Sequence, residues 1–165
     1  MPNWTITNEP RGKVYNELVR VAVTRQAVGG LVVQNFRSWE PSFANFMREL
    51  DMHTLSVEAT DEWPGTVLGR GNQGTESTER PRLHRFRLNE GVAHLLTTYA
   101  SGLYDWLHPN LPEDLCFFDQ SGAVWMTTIS HERDAYFTLH SPELENLLTV
   151  LPDLTGRWDE ERDQE

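Results

Sequence analysis

One cysteine, Cys116, stands among 165 residues, so no disulfide closes within the chain. That excludes a small secreted scaffold held by disulfides and fits a reducing compartment. No stretch approaches the ~18 consecutive apolar residues that a membrane helix needs. The start, MPNWTITNEPRGK, has no basic segment followed by an apolar one, so no secretory leader is read there. A cytoplasmic protein without a membrane anchor is expected. Lysine is almost missing too: Lys13 stands against thirteen arginines, a bias from which no mechanism follows. Basic residues of either type are scarce toward the end. Residues 1–112 hold 12 acidic and 11 basic side chains, whereas 113–165 hold 13 and 3, so −10 of the net −11 lies in the last third. A field of that sign repels phosphate backbones and favours basic partners, which argues against nucleic acid as a ligand.

What is present is an ordinary globular composition, 38% hydrophobic and 24% charged, with six Trp, seven Phe and four Tyr to fill a core. A chain of about 150 residues buries roughly 70% of its unfolded surface, enough for one domain over residues 1–165. Val14, Leu18, Val21 and Ala22 form the stripe of a helix from about Gly12 to Gln26, ended by Gly29-Gly30. The run from Leu31 is a β-branched strand. Phe43, Phe46, Met47 and Leu50 share a face of a short helix entered at Pro41. Residues 53–59 and 82–88 alternate with period two as strands, the second carrying Arg85 and Arg87 on one face. The punctuated TDEWPGT turns at Pro64-Gly65. Residues 70–80 hold no apolar side chain and are expected to be a mobile loop. Asn89 caps a helix whose stripe runs from Val92 to Trp106. Three closely spaced strands follow, LCFFD, AVWMTTIS and AYFTLH, an antiparallel meander by their short turns. Ser141 caps a last helix with Pro142 at its first position, and residues 156–165 form an acidic tail expected to fray. The expectation is an α+β fold: a mostly antiparallel sheet with a C-terminal three-stranded meander, packed by about four helices.

Chemistry is harder to place. His131-Glu132-Arg133-Asp134 opens like a zinc-protease helix motif, but position 135 is Ala where a second histidine belongs, and the flanks alternate as strands. The six histidines are scattered without metal-ligand spacing, and Glu113-Asp114 lacks the alternation and glycine of a calcium loop, so neither metal nor cofactor is expected. Cys116 lies among apolar residues, where a thiol is buried and inert. The Gly-bearing stretch from Leu68 to Gly74 lacks the lysine of a phosphate loop. Trp39 and Trp63 sit in loops beside carboxylates, either as core lids or as interface anchors.

Three functions fit these residues. The first is a non-enzymatic protein of the bacterial immunity or antitoxin kind, whose acidic last third covers a basic protein partner; its binding residues are Glu113, Asp114, Glu132, Asp134 and Trp63. The second is a small hydrolase or transferase using His131 with Glu132, or with Glu113 and Asp114. In an antiparallel meander the loop before the first strand and the turn after the second lie at one end, which would bring the His131 turn to those acids. The third, a DNA-mimic inhibitor, needs a regular row of exposed acids.

Overall fold

A computed structural model of the chain describes residues 1–69 and 79–159. Most of the expected loop, 70–78, and the end of the tail, 160–165, lie outside the described residues.

Among the described residues eight strands form one sheet in the order β10-β1-β9-β8-β7-β2-β6-β3, with every neighbour antiparallel. They are β1 (Asn3–Ile6), β2 (Val28–Val33), β3 (Thr54–Ala59), β6 (Arg82–Arg87), β7 (Glu113–Phe118), β8 (Val124–Ile129), β9 (Asp134–Thr138) and β10 (Gly156–Trp158). A separate two-stranded hairpin, β4 (Glu62–Trp63) and β5 (Thr66–Val67), turns at Pro64-Gly65. Among the described residues four helices complete the α+β fold: α1 (Lys13–Thr24), α2 (Pro41–Leu50), α3 (Glu90–Tyr99) and α4 (Ser141–Val150). No described helix is long and apolar enough to cross a membrane.

The period-two pattern divides the core. Leu31 and Phe86 point to the face that the four helices cover, joining Tyr15, Leu18, Phe46 and Leu96 in the large cluster. Their strand neighbours Val32 and Leu83 point the other way, into a small cluster with Trp63, Cys116 and Phe118 that the β4–β5 hairpin helps cover. Inside the large cluster the buried Tyr15 hydroxyl donates to the Leu96 carbonyl at 2.7 Å and accepts from the Trp106 indole at 3.0 Å, so a buried polar group is fully used.

Four expectations need correction. The stripe read as one helix from Val92 to Trp106 breaks at Tyr99; Leu103 and Trp106 are buried, but from a 3-10 turn over Leu103–Asp105 that follows Gly102. The residues share the core without sharing a helix, which a periodicity alone does not distinguish. Gly29-Gly30 does not end α1 from outside a strand; both lie within β2, where Phe86 and Cys116 come so close that a Cβ would overlap them. α4 starts one residue earlier than expected, with His140 at the cap position, where its N–H donates to the Glu143 carboxylate at 3.0 Å. The tail does not fray at once: Gly156–Trp158 add to the sheet as its edge strand, Trp4 opposite Trp158, because aromatic and backbone partners on β1 are within reach. Asn89 does cap α3, its side chain accepting from the Val92 amide at 2.9 Å.

Candidate functional site: an acidic cleft at one end of the sheet

Antiparallel pairing places the end of β2, the start of β7 and the end of β8 side by side. Between them the structure opens a cleft of about 510 Å³, walled on the outer side by the β4–β5 hairpin. Five of the sequence candidates meet there: Trp63, Glu113, Asp114, His131 and Glu132. Asp134 does not. It opens β9 opposite Ile129, and its charge acts on Tyr104, whose pKa is pushed up to about 12, first by burial and then by Asp134 and Glu9.

The floor of the cleft depends on a backbone irregularity. Adjacent residues of a regular strand point to opposite faces, yet Glu113 and Asp114 both line the cleft. In the pairing of β2 with β7, Gly30 faces Cys116 and Val32 faces Glu113, so Leu31 is matched by two residues, Asp114 and Leu115. The surplus residue makes a bulge, and Asp114 takes φ +57°, the left-handed region that L residues with a side chain seldom adopt. Bulges of this kind re-aim side chains, and here one turns a second carboxylate toward the first.

Both carboxylates are taken from water: Glu113 is 6% exposed and Asp114 2%. Asp114 accepts from the Trp63 indole N–H at 2.9 Å and from the Ser130 backbone N–H at 2.9 Å. Glu113 accepts from the Gln34 side-chain amide and from the His108 backbone N–H. These donors favour the ionised forms, but burial outweighs them and holds both pKa values above the ordinary carboxylate range, with the mutual charge adding to Glu113. Among the described residues neither acid ion-pairs with an arginine or lysine. Among the described residues that line the cleft, His131 alone can carry a positive charge.

The tetrad His131-Glu132-Arg133-Asp134 is split by its own turn. A 3-10 turn over Ser130–Glu132 carries the first two to the mouth of the cleft, and Arg133, at φ +55°, sends the chain back as β9. Arg133 reaches away, pairing with Glu9 at 3.1 Å and lying over the Tyr104 ring at 5.2 Å. His131 Nε2 and Glu132 Oε1 are 3.6 Å apart with both side chains more than half exposed, too far for a hydrogen bond that would fix the imidazole. Trp63, by contrast, is buried, and its indole is tied to Asp114. The expectation that Cys116 is buried agrees with its place in the small cluster, where burial pushes the thiol pKa up.

Sequence reading missed the apolar rim. Phe36, Val67 and Leu68, three of the eight large hydrophobic side chains exposed among the described residues, all border this cleft, with Val67 at 72%. Gln34 and Phe36 belong to the run LVVQNFR expected as one strand from Leu31, but β2 ends at Val33 and leaves both just beyond it; Leu68 follows β5 in a stretch expected as loop. Trp39 is half-buried and stacks on Phe43 at 3.8 Å between ring centroids, beside Phe36 and His108. Among the described residues no group of three or more His, Cys, Asp or Glu is placed to hold a metal ion. Comparison of the chain with protein-family models, with curated proteins and with solved structures finds no match.

Proposed function

We propose that the chain is a non-enzymatic, partner-binding protein of the cytoplasm, of the immunity or antitoxin kind, and that the cleft at the end of β2, β7 and β8 receives a basic side chain of a protein partner. One observation carries this reading: two carboxylates lie side by side on a desolvated floor with no arginine or lysine among the described residues paired to them, under a rim of exposed apolar residues. An arginine or lysine matches both parts, its charged head for Glu113 and Asp114 and its methylene stem for Phe36, Val67 and Leu68. Buried acids left at raised pKa are stabilised by such a cation, so part of the cost of burying them is returned on binding. An anchor in a pocket within an apolar ring is the usual arrangement of an interface centre.

The enzyme reading retains one supporting feature, carboxylates of raised pKa in the same cleft as His131. Among the described residues it lacks an acceptor that orients the imidazole, since Glu132 is beyond hydrogen-bond distance. The DNA-mimic reading has less: its strongest acids are recessed in a cleft, whereas phosphate imitation needs an exposed row.

The test is capture from a lysate of the native host with the intact chain and with the E113Q/E132Q double variant. A stoichiometric basic protein held by the intact chain, released by salt and lost with the double variant, supports the reading. A partner held equally by both baits removes the cleft from the interface. A hydrolytic activity of the purified chain that His131→Ala abolishes would favour the enzyme instead.

A further inference from the structure

The acidic cleft does not end at Phe36. Phe36 and Gln34, which wall it on the β2 side, also wall a second cavity of about 290 Å³. Its chemistry is opposite. Arg80 and Arg82 stand there at the entry to β6, with Glu79 beside them, and the stacked rings of Trp39 and Phe43 line the same cavity. Arg80 is engaged by Asp61 at 2.9 Å, whereas Arg82, exposed at the first position of β6, makes no ion pair among the described residues. Phe36, 37% exposed, is thus a saddle between a negative cavity and an arginine-bearing one.

We propose, resting on the binding reading above, that the two cavities form one groove, and that its occupant is an extended segment of the partner in which a basic side chain and a carboxylate flank an apolar residue. The basic side chain lies over Glu113 and Asp114, the apolar one on Phe36, and the carboxylate at Arg82. Charge complementarity at both ends fixes the direction of the segment, which a single acidic cleft does not. The aromatic stack in the same cavity as Arg82 makes that end partly apolar, which strengthens a guanidinium–carboxylate contact by shielding it from water. An extended chain advances about 3.3 Å per residue, so the number of residues between the two charges sets the fit.

The experiment uses the full chain, labelled with ¹⁵N, titrated with acetylated and amidated peptides Arg-Leu-Glu that carry glycine spacers of increasing length before the glutamate. Controls replace Arg or Glu by Gln. Peptide concentrations reach about 1 mM, so that even a Kd in that range moves the amide shifts of residues around Phe36. For the best spacer, the expected result is that replacing either charge weakens binding about threefold to tenfold. Arg82→Gln should remove the advantage of the glutamate only, and Glu113→Gln the advantage of the arginine only. If the arginine matters and neither the glutamate nor Arg82 does, the composite groove is wrong and the acidic cleft stands alone. If the arginine gives no advantage over glutamine, or no cleft amide shifts at all, the binding reading itself is overturned, and the groove with it.

Discussion

At the scale of single residues, Glu113 and Asp114 look alike in sequence but are held differently, and their neutral variants should separate. Glu113 accepts from the His108 backbone N–H and from the Gln34 side-chain amide; Gln at that position keeps an oxygen for the first, and Gln34 can flip to meet the new NH2 with its own oxygen. Glu113→Gln also ends the cost of keeping a desolvated carboxylate, so thermal stability near neutral pH should be unchanged or higher. Asp114 accepts from two N–H groups on opposite sides, Trp63 and Ser130. Asn offers one oxygen and one NH2, so one buried donor faces another, and Asp114→Asn should cost about 1–3 kcal/mol in a denaturant melt. Equal melts for the two variants would show that the Asp114 bonds contribute little. His131→Ala should change stability by less than about 0.5 kcal/mol, since the ring is exposed and has no fixed partner among the described residues. A much larger loss in the same melt would mean that the ring is networked in solution. The adjacency of two acids and of His131-Glu132 was legible in the sequence, as was the end of the meander at which they meet. The shared direction of Glu113 and Asp114 was not: it arises from a bulge against β2, a long-range pairing that a local pattern does not encode.

At the scale of elements, the segment read as a turn around Pro64-Gly65 proves to be a hairpin packed on the sheet, and Gly65 is where it docks. Its φ is +84°, and a Cβ there would lie 2.7 Å from Thr127 Cγ2 and 2.8 Å from Ile129 Cγ1. Gly65→Ala therefore meets both a strained backbone and a clash, and should destabilise by about 1–3 kcal/mol while lifting the cleft wall. The check is a melt together with the fluorescence of Trp63, whose environment changes if the hairpin moves. An unchanged melt and spectrum would mean that the hairpin is not seated as described. The elements that sequence reading located well, α1, α2, β3, β6 and the meander, are those with a full period of apolar residues and a clear boundary. β1, with four residues, and the two-residue strands β4 and β5 are too short to show a period. The end of α3 was missed for a different reason: Leu103 and Trp106 continue the apolar spacing by chance of packing, while Ser101-Gly102 interrupts the backbone.

At the scale of the whole molecule, the last strand ties the C-terminal segment to the N-terminal one. A chain stopped after Thr155 loses β10, the Trp158 partner of Trp4 and the Asp159 contact with Thr5. A frayed tail would be dispensable; an edge strand carrying a half-buried tryptophan should cost about 1–3 kcal/mol when removed. A melting temperature equal to that of the intact chain would return these residues to the frayed state that composition alone suggests.

Acid acts on the whole molecule in two separate windows, and the cleft belongs to the upper one. Asp105, held low against its own desolvation by the Ser101 amide and Arg11, and Asp119, held low by the Ser121 hydroxyl, lose their stabilising bonds only below the ordinary carboxylate range. Glu113 and Asp114 are displaced upward by burial, so across the interval above that range the folded chain keeps protons that the unfolded chain has released. Stability then rises as pH falls through this interval, because the desolvated charges are neutralised. Affinity for a basic partner moves the other way, since protonated carboxyls no longer attract its cation. Opposite slopes of stability and binding over one pH interval are therefore expected, with Glu113→Gln flattening both. Titrating the captured complex by calorimetry alongside melts at matched pH measures the two slopes. If binding and stability fall together on acidification, the loss is global unfolding and the buried carboxylate pair does not control the interface.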